Sequence, residues 1–193
     1  MMCRLMAFLF VLLLAGCASE PTYYYRLAAP EAQNTIAKAP VIDSHRVLRV
    51  SLPDYLSSAN IAYQESDVAI SLAQSNLWAE APESALARLL INDLSIKVPQ
   101  TLWQTHHTAT GSPDTTLIVS LDQFNGRYDG RAVISGRWLL YDAKQQLVAA
   151  HPINIEVMQQ GDGYPALARA LGEGAHQLAG QIADQLPSIV VPQ

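Results

Sequence analysis

The 193-residue chain carries 12 Lys+Arg against 17 Asp+Glu, a formal charge of -5, so it has no global basic field with which to hold nucleic acid. Its two cysteines, Cys3 and Cys17, are too few for the disulfide framework of a small secreted domain. Half of the residues are hydrophobic and only 15% are charged, below the ~25% of ordinary soluble domains, which points to large buried or partner-facing surfaces.

The chain opens with an apolar run, Leu5 to Leu14, followed by Leu14-Ala15-Gly16-Cys17. The run is shorter than the roughly 20 residues that span a bilayer, yet it has the length of a secretory h-region. With the cysteine placed directly behind it, the segment reads as a lipobox: residues 1–16 form a signal peptide, cleavage falls before Cys17, and the thiol carries a diacylglycerol. Residues 17–22 are then a lipidated tether, residues 23–187 one domain and residues 188–193 a tail. Cys3 leaves with the signal and Cys17 is consumed by the lipid, so no thiol remains for a zinc site or a nucleophile. Ala18 is not the aspartate associated with inner-membrane retention, which directs the expectation to the outer membrane.

Tyr23 to Leu27 is an aromatic run that favours a strand. Six Cα steps separate it from Cys17, a reach of about 20 Å at most, which holds the folded body close to the membrane surface. Residues 28–44 are rich in Ala and Pro and read as a loop. His45 to Leu52 alternates as a half-buried strand requires, with Leu48, Val50 and Leu52 on one face, and Pro53 ends it. Pro53-Asp54-Tyr55-Leu56 with Ser57-Ser58 is turn-like. Ile61 to Gln64 and Val68 to Leu72 read as a short hairpin, and Asn76-Leu77-Trp78-Ala79 as a connection. An early proline and acidic residues at Glu80 to Glu83 suit a helix start. Leu86, Leu89, Leu90 and Leu94 then recur at helical spacing over Pro82 to Lys97, and Pro99 stops the helix. His106 to Asp114 is a polar loop. Its adjacent histidines project in different directions, so a metal there would need ligands from elsewhere, and solvated side chains are the better reading.

Thr116 to Tyr128 and Arg131 to Tyr141 give the clearest signal. Asp129-Gly130 reads as a two-residue hairpin turn, which places Leu121 opposite Trp138, Val119 opposite Leu140 and Asp122 opposite Arg137. Trp138 is therefore assigned to the core. Leu147 to Val157 extends the meander. The stripe Leu167, Leu171, Ala175, Leu178, Ile182 and Leu186 marks a second helix over Pro165 to Leu186, weakened by Gly172, Gly174 and Gly180 and so dependent on packing. The fold class expected is α+β: a mixed, largely antiparallel sheet with two main amphipathic helices packed on one face.

No Gly-x-Ser-x-Gly elbow, His-Glu-x-x-His helix or phosphate-binding glycine loop is present, so no catalytic residue, metal ligand or cofactor site is assigned. Instead the ordered set Tyr24 to Leu27, Pro53 to Leu56, Asn76 to Ala79, Phe124 to Gly130, Gly136 to Leu140 and Asp162 to Tyr164, together with the lipobox, resembles the PqiC family. These are auxiliary lipoproteins of ABC-type and MCE-type intermembrane transport systems, and the resemblance spans the mature chain. It implies an outer-membrane lipoprotein on the periplasmic face, a non-enzymatic accessory subunit that works with an MCE-domain transport protein in lipid transport and envelope integrity. The rival readings are a lipid-tethered periplasmic hydrolase and an outer-membrane assembly lipoprotein. A symmetric conduit reaching across the periplasm would be matched by a homo-oligomeric ring. Pro53, Asp54, Tyr55 and Leu56, Asn76, Leu77 and Trp78, and Ile189, Val190 and Val191 are the candidate partner contacts. The alternative is that Tyr55 and Trp78 simply close the core over the first helix.

Overall fold

The spine of the molecule is one long strand that keeps both of its edges paired. In the computed structural model, which describes residues 21–27, 41–109 and 111–186, this strand is β6 (Thr115–Arg127). In chain order it is preceded by β1 (Tyr23–Tyr25), β2 (Ser44–Ser51), a 3-10 turn (Asp54–Leu56), β3 (Asn60–Gln64), β4 (Ile70–Trp78), α1 (Pro82–Lys97) and β5 (Thr101–Thr105). It is followed by β7 (Arg131–Asp142), β8 (Leu147–Met158) and α2 (Gly163–Gln185). No helix among the described residues is long and apolar enough to cross a membrane. Cys17, with the lipobox, and Ile189 to Val191 lie outside the described residues.

Along one edge of β6 runs β7, antiparallel from Thr115 to Gly126, and β8 continues the meander. Two successive pieces share the other edge. The first, β2, pairs in parallel with residues 115–120, and β3 pairs in parallel with Gly126 and Arg127. Between them the chain detours through Pro53 and the 3-10 turn. β5 adds to β2 in parallel, while β4 adds to β3 antiparallel and β1 to β4 in parallel. The sheet is mixed and, by length of pairing, largely antiparallel. Among the described residues its open edges are β1, β5 and β8. Both helices cover one face: α1 packs on β2 and β5, α2 on β7 and β8, and each packs on the other. Leu86, Leu90 and Leu94 of α1 and Leu171, Ala175, Leu178 and Ile182 of α2 are fully buried against Leu48, Leu117, Val119, Ile134, Trp138 and Leu140. That burial offsets the low intrinsic helicity of the glycine-interrupted α2.

The β6–β7 register departs from the expected one by two residues. Val119, rather than Leu121, lies opposite Trp138; Leu117, rather than Val119, lies opposite Leu140; and Ser120, rather than Asp122, lies opposite Arg137. One residue of the slip comes from the turn. Gly126 pairs with Ala132, so three residues, Tyr128 to Gly130, connect the strands, with Gly130 at φ 80° and its N–H donating to the Arg127 carbonyl. The other comes from a β-bulge at Asp122, between the pairs Leu121–Gly136 and Gln123–Ser135. Two single shifts restore the parity of the alternation, so Trp138 still faces inward and is 1% exposed. The bulge depends on Gly136, whose φ is 150° and whose missing Cβ would stand 2.2 Å from the Ser120 carbonyl oxygen.

Two further expectations are corrected. Asn76 to Trp78 is not a connection but the end of β4, held by β1 along one edge and by Asn60 of β3 along the other. Thr101–Thr105, unassigned from the sequence, is a strand because Leu102 and Trp103 sit in a five-residue run that β2 recruits in parallel.

Candidate functional site

Two of the motifs that carry the family resemblance, Phe124 to Gly130 and Asp162 to Tyr164, meet at one end of the sheet, and Tyr25 of a third reaches them. There Gln64 pairs with Ile70 and with Arg127, and Arg131 pairs with Met158, so the β3–β4 turn, the β6–β7 turn and the loop from β8 to α2 lie side by side. The Tyr25 ring lies 6.4 Å from that of Tyr164, at the start of α2, and its hydroxyl donates to Asn76 Oδ1 at 2.9 Å. Gly126 has no side chain because Tyr63 and Leu167 occupy the space: a Cβ there would come within 2.6 Å and 2.8 Å of them. Between these residues opens a cleft of about 470 Å³ lined by Tyr63, Met158, Tyr164, Leu167 and Gly161 to Gly163.

The hairpin turn is tied by charge. Arg127 donates to both oxygens of Asp129, at 3.0 and 2.7 Å, and to Glu156 at 2.8 Å, and Arg131 donates to Asp129 at 2.8 Å. The hydrogen bonds from Arg127 hold the Asp129 carboxyl down at about 2 and lower that of Glu156, while the two acids raise the guanidinium. Burial, with Glu65 next, pushes the Tyr164 phenol up. The cleft therefore offers aromatic and aliphatic surface with phenol hydroxyls at its walls, beside cations already neutralised by their neighbours.

The nominated partner contacts are placed differently from one another. Leu56 and Trp78 are buried, at 4% and 5% exposure, and Trp78 packs on Phe124 with ring centroids 6.1 Å apart. Half-buried Tyr55 donates its hydroxyl to the Asp122 carbonyl at 2.9 Å, which satisfies the bulge, and burial raises its phenol. Asp54 is exposed and Pro53, Tyr55, Asn76 and Leu77 are half-buried, so within these two stretches all but Leu56 and Trp78 leave some surface. Trp78 belongs to the core cluster and Tyr55 packs against it.

A second hollow of about 670 Å³ lies between α1 and β5, walled by Leu48, Val50, Ala87, Ile91, Leu102 and Trp103. The His106 and His107 rings meet at its rim, tilted by 40° with centroids 3.7 Å apart, and burial followed by the neighbouring ring lowers His106. Among the described residues no group of three or more His, Cys, Asp or Glu side chains is arranged to hold a metal. Sequence reasoning missed the link between the helices, where buried Asp93 of α1 meets His176 Nδ1 of α2 at 2.5 Å. The signal was there: Asp93 stands between Leu90 and Leu94 in the apolar stripe, where a carboxylate needs a partner.

The family model described as "ABC-type transport auxiliary lipoprotein component" matches residues 25–183. The chain is 35% identical over 180 residues to the intermembrane transport lipoprotein PqiC of Escherichia coli, covering 90% of this chain and 91% of that protein, and equally to PqiC of Shigella flexneri. Among solved structures, an uncharacterised protein at 35% identity superposes with a TM-score of 0.72 over 86% of this chain and 99% of that one. A Xanthomonas campestris protein at 15% identity shares the fold, with a TM-score of 0.68 over the same shares of the two chains.

Proposed function

The chain belongs to the family of ABC-type transport auxiliary lipoprotein components, and from that premise we propose that it is a lipoprotein of the outer membrane, facing the periplasm and anchored by acyl chains on Cys17. It acts as a non-enzymatic accessory subunit of an MCE-type intermembrane lipid transport system and contributes in this way to envelope integrity. The observation that carries the reading is the match over nine-tenths of the chain to an intermembrane transport lipoprotein, in a sequence that also begins with a lipobox. Two acyl chains exceed the marginal membrane binding of one, which makes the thiol alone a sufficient anchor.

The accessory role takes the form of a closed ring that caps a conduit from the partner. A heterologous ring needs two complementary side surfaces on each subunit, and the open edges of the sheet, β1, β5 and β8, supply unpaired backbone groups for them. Pro53, Asp54, Tyr55, Asn76 and Leu77, with Ile189 to Val191, are the proposed partner contacts that leave surface or lie outside the described residues.

Cys17→Ala tests the anchor. The variant is expected to persist as uncut precursor or to leave the membrane fraction, while the wild-type protein travels with the outer membrane on a density gradient. Wild-type protein in the inner-membrane band would overturn the localisation. Light scattering of residues 18–193 and pull-down with a purified MCE-domain protein test the assembly: a strict monomer that captures no such partner would sink it.

A further inference from the structure

β1 runs parallel to β4, with Tyr23 beside Asn76 and Tyr25 beside Trp78, so the axis of β1, followed back from Tyr23, points toward the turn end of the sheet. Six residues separate Tyr23 from Cys17, and six separate Asn76 from Ile70, the first residue of β4. The tether reaches about 20 Å at most, so a lipid on Cys17 enters the bilayer no farther out than roughly the level of Ile70. A bilayer at that level meets the three turns described above. Among acidic neighbours these turns also expose apolar or aromatic side chains: Val68 is 87% exposed, Tyr128 59% and Met158 49%.

We propose that the turn end of the sheet, led by Val68, Tyr128 and Met158, is a lipid-contacting face that seats the protein upright on its membrane. The proposal rests on Cys17 carrying the anchor and goes beyond it, because a tether alone leaves orientation free. Tyrosine suits the headgroup level, where its ring is shielded and its hydroxyl stays wet, and single apolar tips add area without a spanning segment. Charge narrows the surface further. This end carries Glu65, Asp67, Asp129, Glu156 and Asp162 against Arg127 and Arg131, an excess of acid that opposes anionic headgroups and fits a zwitterionic layer. Seated so, the molecule turns the start of β2 and the turn after β7 toward the periplasm.

The test uses the lipidated protein in phosphatidylcholine vesicles. Cys17 is blocked by its lipid, so a cysteine introduced as Val68→Cys, Tyr128→Cys or, at the opposite end, Lys144→Cys accepts a single environment-sensitive fluorophore. Labels at 68 and 128 are expected to shift to the blue and to be quenched by brominated lipid, while the label at 144 stays unquenched. Added phosphatidylglycerol is expected to weaken the quenching at 68 and 128. If the protein floats with the vesicles but 68 and 128 are no better quenched than 144, the proposal fails while the anchor stands. Quenching at a Tyr24→Cys label without quenching at 68 or 128 means the protein lies on its β1 edge, which also overturns it. A protein that does not float overturns the anchor and the proposal together.

Discussion

Gly136→Ala tests whether the bulge at Asp122 organises the sheet. The added Cβ would sit 2.2 Å from the Ser120 carbonyl oxygen and 2.7 Å from the Leu121 Cα, and both are backbone atoms that cannot rotate aside. Either β7 withdraws from β6 or the bulge opens and pulls the Asp122 carbonyl from Tyr55. The backbone adds its own cost, since φ is 150° at this position. About 2 kcal/mol for the strained backbone and a similar amount for overpacking give a loss of about 4 kcal/mol. Gly161→Ala is the control, because φ is 99° there but nothing stands within 4 Å of the new Cβ, so only the backbone cost of ~1–2 kcal/mol applies. Urea unfolding of residues 18–193, followed by tryptophan fluorescence with Trp138 two residues from the change, reads both variants by linear extrapolation. Equal losses for the two would refute the reasoning that close approach at Gly136 sets the register.

Trp138→Ala is expected to cost ~3–5 kcal/mol as a large buried side chain, and Arg137→Ala, which is exposed on the opposite face, within about 1 kcal/mol of nothing; comparable urea midpoints for the two would mean the inward face is misassigned. Acid should weaken the hairpin turn in a defined window. Asp129 is lowered from 3.8 to about 2 in the folded state, so its contribution is whole above pH 3.8 and is lost as pH falls toward 2. Asp129→Asn should flatten the fall of the urea midpoint across that window, and parallel profiles for variant and wild type would refute the assignment to Arg127. Asp93→Ala should destabilise by about 1–3 kcal/mol through loss of the buried bond to His176, with Asp93→Asn costing less; a neutral Asp93→Ala would show that the helices need no polar link.

Periodicity carried the helices and the long strands into view because each buries a continuous apolar stripe. Pro82–Lys97 appears with the bounds expected, and α2 within two residues of them. Register was less legible. A glycine after Asp129 fits a two-residue turn and a three-residue one alike, and a bulge leaves no periodic trace when a second slip restores the parity. A turn carrying an aromatic side chain often docks, which nominates Asn76 to Trp78, yet β1, distant in sequence, pairs with all three. The turn-end cleft could be found only as a list of motifs, because what unites Tyr25, Tyr63, Gly126 and Tyr164 is that β1 and β3 arrive beside β4 and β6, a matter of topology. Local patterning does not encode which strand a three-residue segment will choose.

β1 is short, but its pairing direction has a mechanical meaning. A load drawn through the amino terminus toward the turn end acts along the axis of β1, so its bonds to β4 lie under shear and must yield together. Were the pull perpendicular to the strand, the same bonds would unzip singly. Behind them stand the Ala79 N–H on the Tyr25 carbonyl, the Tyr25 hydroxyl on Asn76 and the buried Leu27, which together act as a stop against sliding. Three residues in this geometry form a handle by which a domain can be held while its partner tugs on the other end.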